Sequence, residues 1–80
     1  MTKRLTPAHR ATLTRLGRAG IEGEVGERNA AIFVAALGLF GNAKLSLAEL
    51  GRANGMSRER VRQIVERTKT RIGLTPEGVQ

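Results

Sequence analysis

The chain of 80 residues has a formal net charge of +7 and a sequence pI near 11.6, and it contains no cysteine. Such a length leaves little room for an enzyme with its pocket, and without cysteine there are no disulfide bonds or thiolate metal sites; no catalysis, metal or cofactor is expected. The basic excess indicates a polyanionic partner such as nucleic acid, although a solvated basic surface without a partner remains open.

The chain begins with a basic arm, residues 1–5, followed by a first predicted helix. Thr6-Pro7 is typical of a helix start, because proline at the first helical position loses no hydrogen bond. The segment 7–18 has helical periodicity, but its apolar stripe is narrow, so this helix must dock on another surface or fray. The stripe consists of Leu13 and Leu16.

A glycine-rich connector and a long apolar helix are predicted next. Three glycines among seven residues indicate a connector over 20–26, which could equally be the hinge of a separable arm. The following segment has the periodicity and alanine content of a helix over 27–40, ended by a glycine-asparagine pair. Its aromatic residues, Phe33 and Phe40, are expected in the core. The predicted inner face of this helix consists of Ala30, Phe33, Val34 and Leu37.

The next segment has the start and stop signals of a short helix over 46–54. Ser46 and Glu49 fit a capping box, in which serine and glutamate each satisfy a backbone N–H of the other. Gly55 can adopt the left-handed conformation that a tight turn after the helix needs. Gly51 lies four residues before this turn glycine, where the lack of a side chain lets two helices pack closely.

Ser57 is the predicted N-cap of a last helix over 57–72. Apolar spacings of three and four residues give this helix one inner face. A helix, a glycine turn and a second capped helix together indicate a helix-turn-helix. We therefore predict an all-α fold, a small helix-turn-helix domain of about four helices. Its parts are an N-terminal arm, helix and connector over 1–26, the helix-turn-helix domain over 27–73 and a flexible tail over 74–80.

Two motifs around the predicted turn carry a resemblance to a known family. They are Ser-Leu-Ala-Glu-Leu-Gly at 46–51 and Ser-Arg-Glu-Arg-Val-Arg-Gln-Ile at 57–64. The sequence resembles the fourth conserved region of primary sigma factors of bacterial RNA polymerase, which recognises the promoter −35 element. With a Glu-Arg pair upstream, the likeness covers about residues 27–72. It implies a domain that binds double-stranded DNA, and Asn54 departs from it where the family usually has an apolar residue.

Four polar residues of the last helix are the predicted base contacts: Arg58, Glu59, Arg62 and Gln63. The resemblance implies all of these except Arg62, which lies beside the others on the same predicted face. Their chemistry agrees, because arginine pairs with guanine, glutamine with adenine and glutamate with the cytosine amine. A carboxylate repels phosphate, so Glu59 favours sequence-specific over non-specific binding. A solvated face held by ion pairs between helical neighbours remains the alternative.

Basic and hydroxyl residues around the turn are the predicted phosphate contacts. The resemblance implies that Ser57 and Arg60 lie at or near the DNA backbone, and the other basic side chains of the last helix extend this set. Such contacts give salt-dependent affinity with little sequence information. The predicted phosphate contacts are Lys44, Ser46, Ser57, Arg60, Arg67, Lys69 and Arg71.

These features lead to one main hypothesis, a sequence-specific double-stranded DNA-binding regulator that acts as a repressor at promoters. One recognition helix reads only a few base pairs, so we expect a homodimer that reads two half-sites. The helix over 7–18, with its narrow apolar stripe, is the candidate dimer surface. We expect such a protein on DNA in the cytoplasm, with no membrane partner, and of bacterial, phage or plasmid origin.

Two other hypotheses remain open. A small protein that binds RNA polymerase or a sigma factor and redirects transcription would use the sigma-like helices for docking. A nucleoid-type protein would bind every duplex with similar affinity and a steep salt dependence. The sequence has no counterpart of the sigma regions that melt DNA or bind the polymerase clamp, so we do not expect a complete sigma factor.

Overall fold

Four helices and the loops between them make up the described structure. The computed structural model describes residues 7–74, and this part of the chain contains no β-strand. The helices are α1 (Pro7–Val25), α2 (Glu27–Leu37), α3 (Leu47–Asn54) and α4 (Arg58–Arg71). The predicted all-α class is confirmed. The basic arm, the Thr6 cap and most of the predicted tail lie outside the described residues.

α1 is longer than predicted and is bent in its middle. Gly17 has a φ of 65° and a ψ of 176°, outside the helical region, and the helix resumes after it up to Val25. The predicted connector over 20–26 is therefore wrong. Ile21 is fully buried in the core, and its burial offsets the helix-propensity cost of the neighbouring glycines. Only Gly26 separates α1 from α2.

α2 ends three residues earlier than predicted. Gly38 adopts the left-handed conformation with a φ of 66°, and its N–H donates to the carbonyl oxygen of Val34. A glycine in this conformation stops the helix, so the predicted end after residue 40 is wrong. Phe40 then lies in the loop with a φ of 53° and is 45% exposed, which contradicts its predicted place in the core. Phe33, in contrast, is fully buried as predicted.

α3 and α4 form the predicted helix-turn-helix, within one residue of the expected bounds. Ser46 and Ser57 are their N-caps, and the capping box at α3 is present. Gly55 has a φ of 68° and turns the chain between the two helices. A Cβ atom at Gly51 would lie 2.5 Å from the carbonyl oxygen of Met56. The predicted close approach at this glycine is thus confirmed.

The core joins all four helices into one packed unit. α2 packs against both α1 and α4, and α3 packs mainly against α4. Leu13 is buried in this core and Leu16 packs against it, so the narrow stripe of α1 is covered within the same chain and is not left for a second copy. Leu74 is buried too, and its N–H donates to the carbonyl of Lys69, so this residue does not belong to the predicted tail. Within the described part, no helix is both long and apolar enough to span a membrane.

Replacement of Gly51 by alanine should destabilise the domain. The added methyl group would overlap the carbonyl oxygen of Met56 and push α3 away from α4. We expect the free energy of unfolding to fall by about 1–3 kcal/mol, the usual cost of overpacking. Denaturant unfolding followed by circular dichroism measures the change.

Gly23→Ala is the matched control for this prediction. Gly23 lies in the second half of α1, and a Cβ atom there has no neighbour within 4 Å. Alanine should therefore raise the free energy of unfolding by roughly 0.5–1 kcal/mol through its higher helix propensity. A Gly51→Ala protein as stable as the wild type would contradict the close approach of the two helices.

Candidate nucleic-acid interface

The inner side of α4 fixes this helix on the domain. Its buried residues are Val61, Ile64, Val65 and Thr68. At its start, the hydroxyl oxygen of Ser57 accepts the N–H of Arg60 at 3.0 Å, which satisfies one of the unpaired donors of the first turn. Because the inner side is packed and the start is capped, the outer side of α4 has a fixed direction on the domain.

The predicted base contacts lie together on the outer side of the first two turns of α4. We call this set the reading face: Arg58, Glu59, Arg62 and Gln63. Residues with these spacings share one side of a helix, because a turn contains about 3.6 residues. Three of the side chains are exposed, and Gln63 is partly buried. The structure therefore brings the four residues onto one accessible surface.

Two hydrogen bonds join Glu59 and Arg62 on the reading face. Arg62 Nη2 lies 2.6 Å from Glu59 Oε2, and Arg62 Nε lies 3.0 Å from Glu59 Oε1. The bonds from Arg62 lower the pKa of the Glu59 carboxyl, and the same bonds raise the pKa of the Arg62 guanidinium. Both groups therefore stay ionised at neutral pH.

Three arginines lie on one flank of α4, beside the end of α1. Arg60, Arg67 and Arg71 line an open groove of about 340 Å³ together with residues of α1 and α2. Arg71 Nε lies 3.3 Å from Glu24 Oε1 of α1, and Arg60 Nη1 makes a long contact of 3.4 Å with Gln63 Oε1. These three predicted phosphate contacts form one basic group.

The remaining predicted phosphate contacts lie elsewhere. Lys69 is on the other flank of α4, and its Nζ lies 3.6 Å from an oxygen of Glu66. Ser57 is the N-cap of α4, whereas Lys44 and Ser46 lie in the segment that leads into α3. The structure thus spreads the seven residues over both flanks and the start of α4 and over the segment before α3.

Reciprocal hydrogen bonds between Ser46 and Glu49 fix the start of α3. The N–H of Ser46 donates to Glu49 Oε1 at 2.8 Å, and the N–H of Glu49 donates to Ser46 Oγ at 3.1 Å. The backbone N–H of Ser46, and after it the serine hydroxyl, stabilises the ionised carboxylate and lowers the pKa of Glu49. This cap also fixes the residue that precedes α3, which is one of the predicted phosphate contacts.

Arg28 of α2 supports the turn from outside it, a role that the sequence did not predict. Arg28 Nη2 donates to the carbonyl oxygen of Asn54 at 3.0 Å, and the amide of Asn54 donates to the carbonyl of Leu50 at 2.8 Å. Asn54 therefore bonds to backbone where the sigma pattern has an apolar residue. The two bonded residues are 26 positions apart in sequence. The only feature of the sequence that could have indicated this role of Arg28 is the Glu-Arg pair shared with the sigma family.

The comparison with protein families agrees with this geometry. The family described as Sigma-70, region 4 matches residues 24–72, more than half of the chain. The chain belongs to this family. No significant match was found among curated proteins or among solved structures.

Membership of the sigma-70 region 4 family indicates a DNA-binding, transcription-related role. The family consists of DNA-binding helix-turn-helix domains and is not an enzyme family. The matched residues run from the end of α1 to the residue after α4, so the whole helix-turn-helix and the central helix α2 are included. Most of α1 precedes the match, and this part contributes Leu13 and Ile21 to the core.

Glu49→Gln should make the stability of the domain less sensitive to acid. The pKa of Glu49 in the folded state is lowered, so its contribution to stability is complete above the ordinary pKa of glutamate and is lost as the pH falls through the lowered value. Glutamine keeps the acceptor of the capping box but does not titrate. The thermal midpoint, followed by circular dichroism from neutral to strongly acid pH, should fall less in the variant. Equal acid sensitivity in both proteins would refute this role of Glu49.

Proposed function

We propose that the protein is a sequence-specific DNA-binding regulator of transcription that reads the major groove with α4. The observation that carries this proposal is the reading face, four exposed or partly exposed side chains on the outer side of the helix that follows the glycine turn. The major groove admits one α-helix, and arginine, glutamate and glutamine each recognise a particular base there. The family match supports DNA binding by the same helices.

Arg58 is the first residue of the reading face that we expect to reach a base. It occupies the first position of α4 and makes no ion pair with another side chain of the described chain. In helix-turn-helix proteins the N-terminal residues of the second helix approach the base edges. A guanidinium there can donate two hydrogen bonds to guanine, and Gln63 further along α4 can pair with adenine.

The basic flanks of α4 are proposed to contact the phosphates that border the groove. A helix in the major groove has a DNA strand on either side, so basic side chains on both flanks find phosphates within reach. These contacts would supply affinity at every sequence and make it dependent on salt. The segment before α3 and the N-cap of α4 complete the proposed set, which is the one named from the sequence: Lys44, Ser46, Ser57, Arg60, Arg67, Lys69 and Arg71.

Repression at promoters by a homodimer is the form of regulation that we propose. One helix reads too few base pairs to select a site in a genome, and two copies on two half-sites about one helical turn apart would supply the missing selectivity. Occupation of a promoter by such a dimer blocks other proteins from the same DNA. Because the apolar stripe of α1 packs against the core of the same chain, the contact between copies is not expected to use Leu13 or Leu16.

A second candidate function is binding to RNA polymerase or a sigma factor. The observation that favours it is the loop after α2, where Phe40 and Leu45 are 45% and 37% exposed. A positive φ is unfavourable for a phenylalanine, so the backbone at Phe40 holds this aromatic side chain outward at a cost. Aromatic side chains are enriched at the surfaces through which proteins contact each other, which favours this role for Phe40.

Arg58→Ala and Gln63→Ala should each remove specific DNA binding. The wild-type protein is first used to select duplexes from a random pool, and gel shifts then compare the selected duplex with a scrambled duplex of the same composition. Each variant should lose about tenfold or more in affinity for the selected duplex, because a bidentate base contact discriminates by roughly 1–3 kcal/mol. Affinity for the scrambled duplex should change little by comparison.

Arg15→Ala is the matched control for these two variants. Arg15 is an exposed arginine of α1, so its loss removes the same charge as Arg58→Ala without altering the reading face. It should leave the preference for the selected duplex unchanged. If Arg58→Ala and Gln63→Ala also keep that preference, direct readout by α4 is wrong and the second candidate function is favoured. A selected site with two related halves would support the dimer.

Arg67→Ala tests the phosphate contacts. The side chain lies on the flank of α4 and not on the reading face, so its loss should weaken binding to the selected and the scrambled duplex by the same factor. The slope of log K against log salt should become shallower by roughly 0.9, the value expected for one phosphate. A loss confined to the selected duplex would instead assign Arg67 to base readout.

A further inference from the structure

The ion pair between Glu59 and Arg62 differs from the other ion pairs of the described residues. It has two short hydrogen bonds in a fork, whereas the others are single contacts at 3.1–3.6 Å. Both side chains are more than half exposed, at 60% and 52%. An exposed ion pair between helical neighbours stabilises a helix only slightly, so support of the fold is a small part of what the fork can do. The pair lies on the reading face, the surface that is proposed to contact bases.

The fork leaves each of its two groups able to bind a base. A carboxylate offers about four lone-pair sites and a guanidinium about five N–H donors, and the fork occupies two on each side. The pair therefore presents acceptor sites and donor groups next to each other. In the major groove, the cytosine amine is a donor and the O6 and N7 atoms of guanine are acceptors, and they stand side by side on one base pair.

We propose that Glu59 and Arg62 read DNA as one unit, in which Glu59 holds Arg62 for a guanine and accepts the amine of the adjacent cytosine. The target is a C·G base pair, or a cytosine and a guanine in neighbouring pairs, facing the first two turns of α4. This inference rests on the proposed function and assigns Glu59 two roles: a base contact of its own and a positioning residue for Arg62.

The same pairing weakens binding to other sequences. A guanidinium without a carboxylate partner is attracted to the nearest phosphate, whatever the bases are. Glu59 neutralises Arg62 and holds its Nε and Nη2 donors away from such contacts. Only a site that offers the cytosine amine and the guanine acceptors compensates for the repulsion between the Glu59 carboxylate and the DNA backbone. The pair therefore gives selectivity at the expense of affinity.

The chain offers a close control for this idea. Glu66 is an exposed glutamate of the same helix: it forms an ion pair with Lys69, and it attracts Arg62 by charge alone, without a hydrogen bond to it. Glu59→Gln and Glu66→Gln make the same change of charge, so a difference between them reports the roles of Glu59 on the reading face, and the Arg62 variants isolate the part that depends on the pairing. Arg62→Lys keeps the positive charge but cannot form the fork, because an ammonium group is not planar and has a single nitrogen.

The test measures the affinity of these variants for three kinds of duplex. They are the duplex selected by the wild-type protein, the same duplex with each of its C·G pairs changed in turn to A·T, and a scrambled duplex. Circular dichroism establishes that each variant is folded. Glu59→Gln should bind the scrambled duplex several-fold more tightly than wild type and should lose about tenfold in discrimination at one C·G position. Arg62→Lys should lose discrimination at that same position.

The control variant and the double variant distinguish coupled readout from independent contacts. Glu66→Gln should bind every duplex of the set more tightly by one common factor and leave discrimination between them unchanged. The double variant Glu59→Gln with Arg62→Lys should discriminate no worse than whichever single variant discriminates less, because the two residues act as a unit. Equal behaviour of Glu59→Gln and Glu66→Gln, or independent losses that multiply in the double variant, would overturn the inference. If the wild-type protein itself selects no sequence, the proposed function fails and this inference fails with it.

Discussion

The close approach of α3 and α4 at Gly51 is the constraint on which the rest of the structure depends. The backbone of Met56 passes so near Gly51 that a Cβ atom there would lie 2.5 Å from its carbonyl oxygen. The left-handed Gly55 makes the turn, and Ser57 restarts the chain as a capped helix. These local conditions fix the direction of α4 relative to α3. Buried residues on the inner side of α4 then leave the reading face turned away from the domain.

The other helices keep this arrangement in place. α2 packs on α4 and also donates a hydrogen bond from Arg28 to the end of α3, so one helix supports both parts of the helix-turn-helix. α1 covers α2 with Leu13 and Ile21, which are among the most buried side chains. Since a domain of this size has a small core, the burial of these two side chains is a large share of its stability. The part of α1 that precedes the family match therefore stabilises the matched helices.

Local signals in the sequence were sufficient to predict the helix-turn-helix. Tertiary packing explains most of the predictions that were wrong. Serine caps and a turn glycine act on the residues beside them, so α3 and α4 were predicted within one residue. The helix through 20–25 depends on the burial of Ile21 against residues distant in sequence, which no local pattern contains. The members of the reading face could be named from helical spacing. Their pairing could not, because Glu59 has several helical neighbours and side-chain conformation makes Arg62 the strongest of its partners.

The charge of the chain gives a physical reason for a carboxylate on the proposed DNA-binding surface. With a net charge of +7, attraction to phosphate is available at every sequence and does not limit binding. What limits such a protein is the difference between its target and all other DNA. In the proposed readout, Glu59 would lower affinity wherever no base amine meets it and would restore affinity where cytosine does. Because Arg62 is hydrogen-bonded to Glu59, the same condition would apply to the charge of Arg62, so that one acidic residue would set the specificity of both side chains.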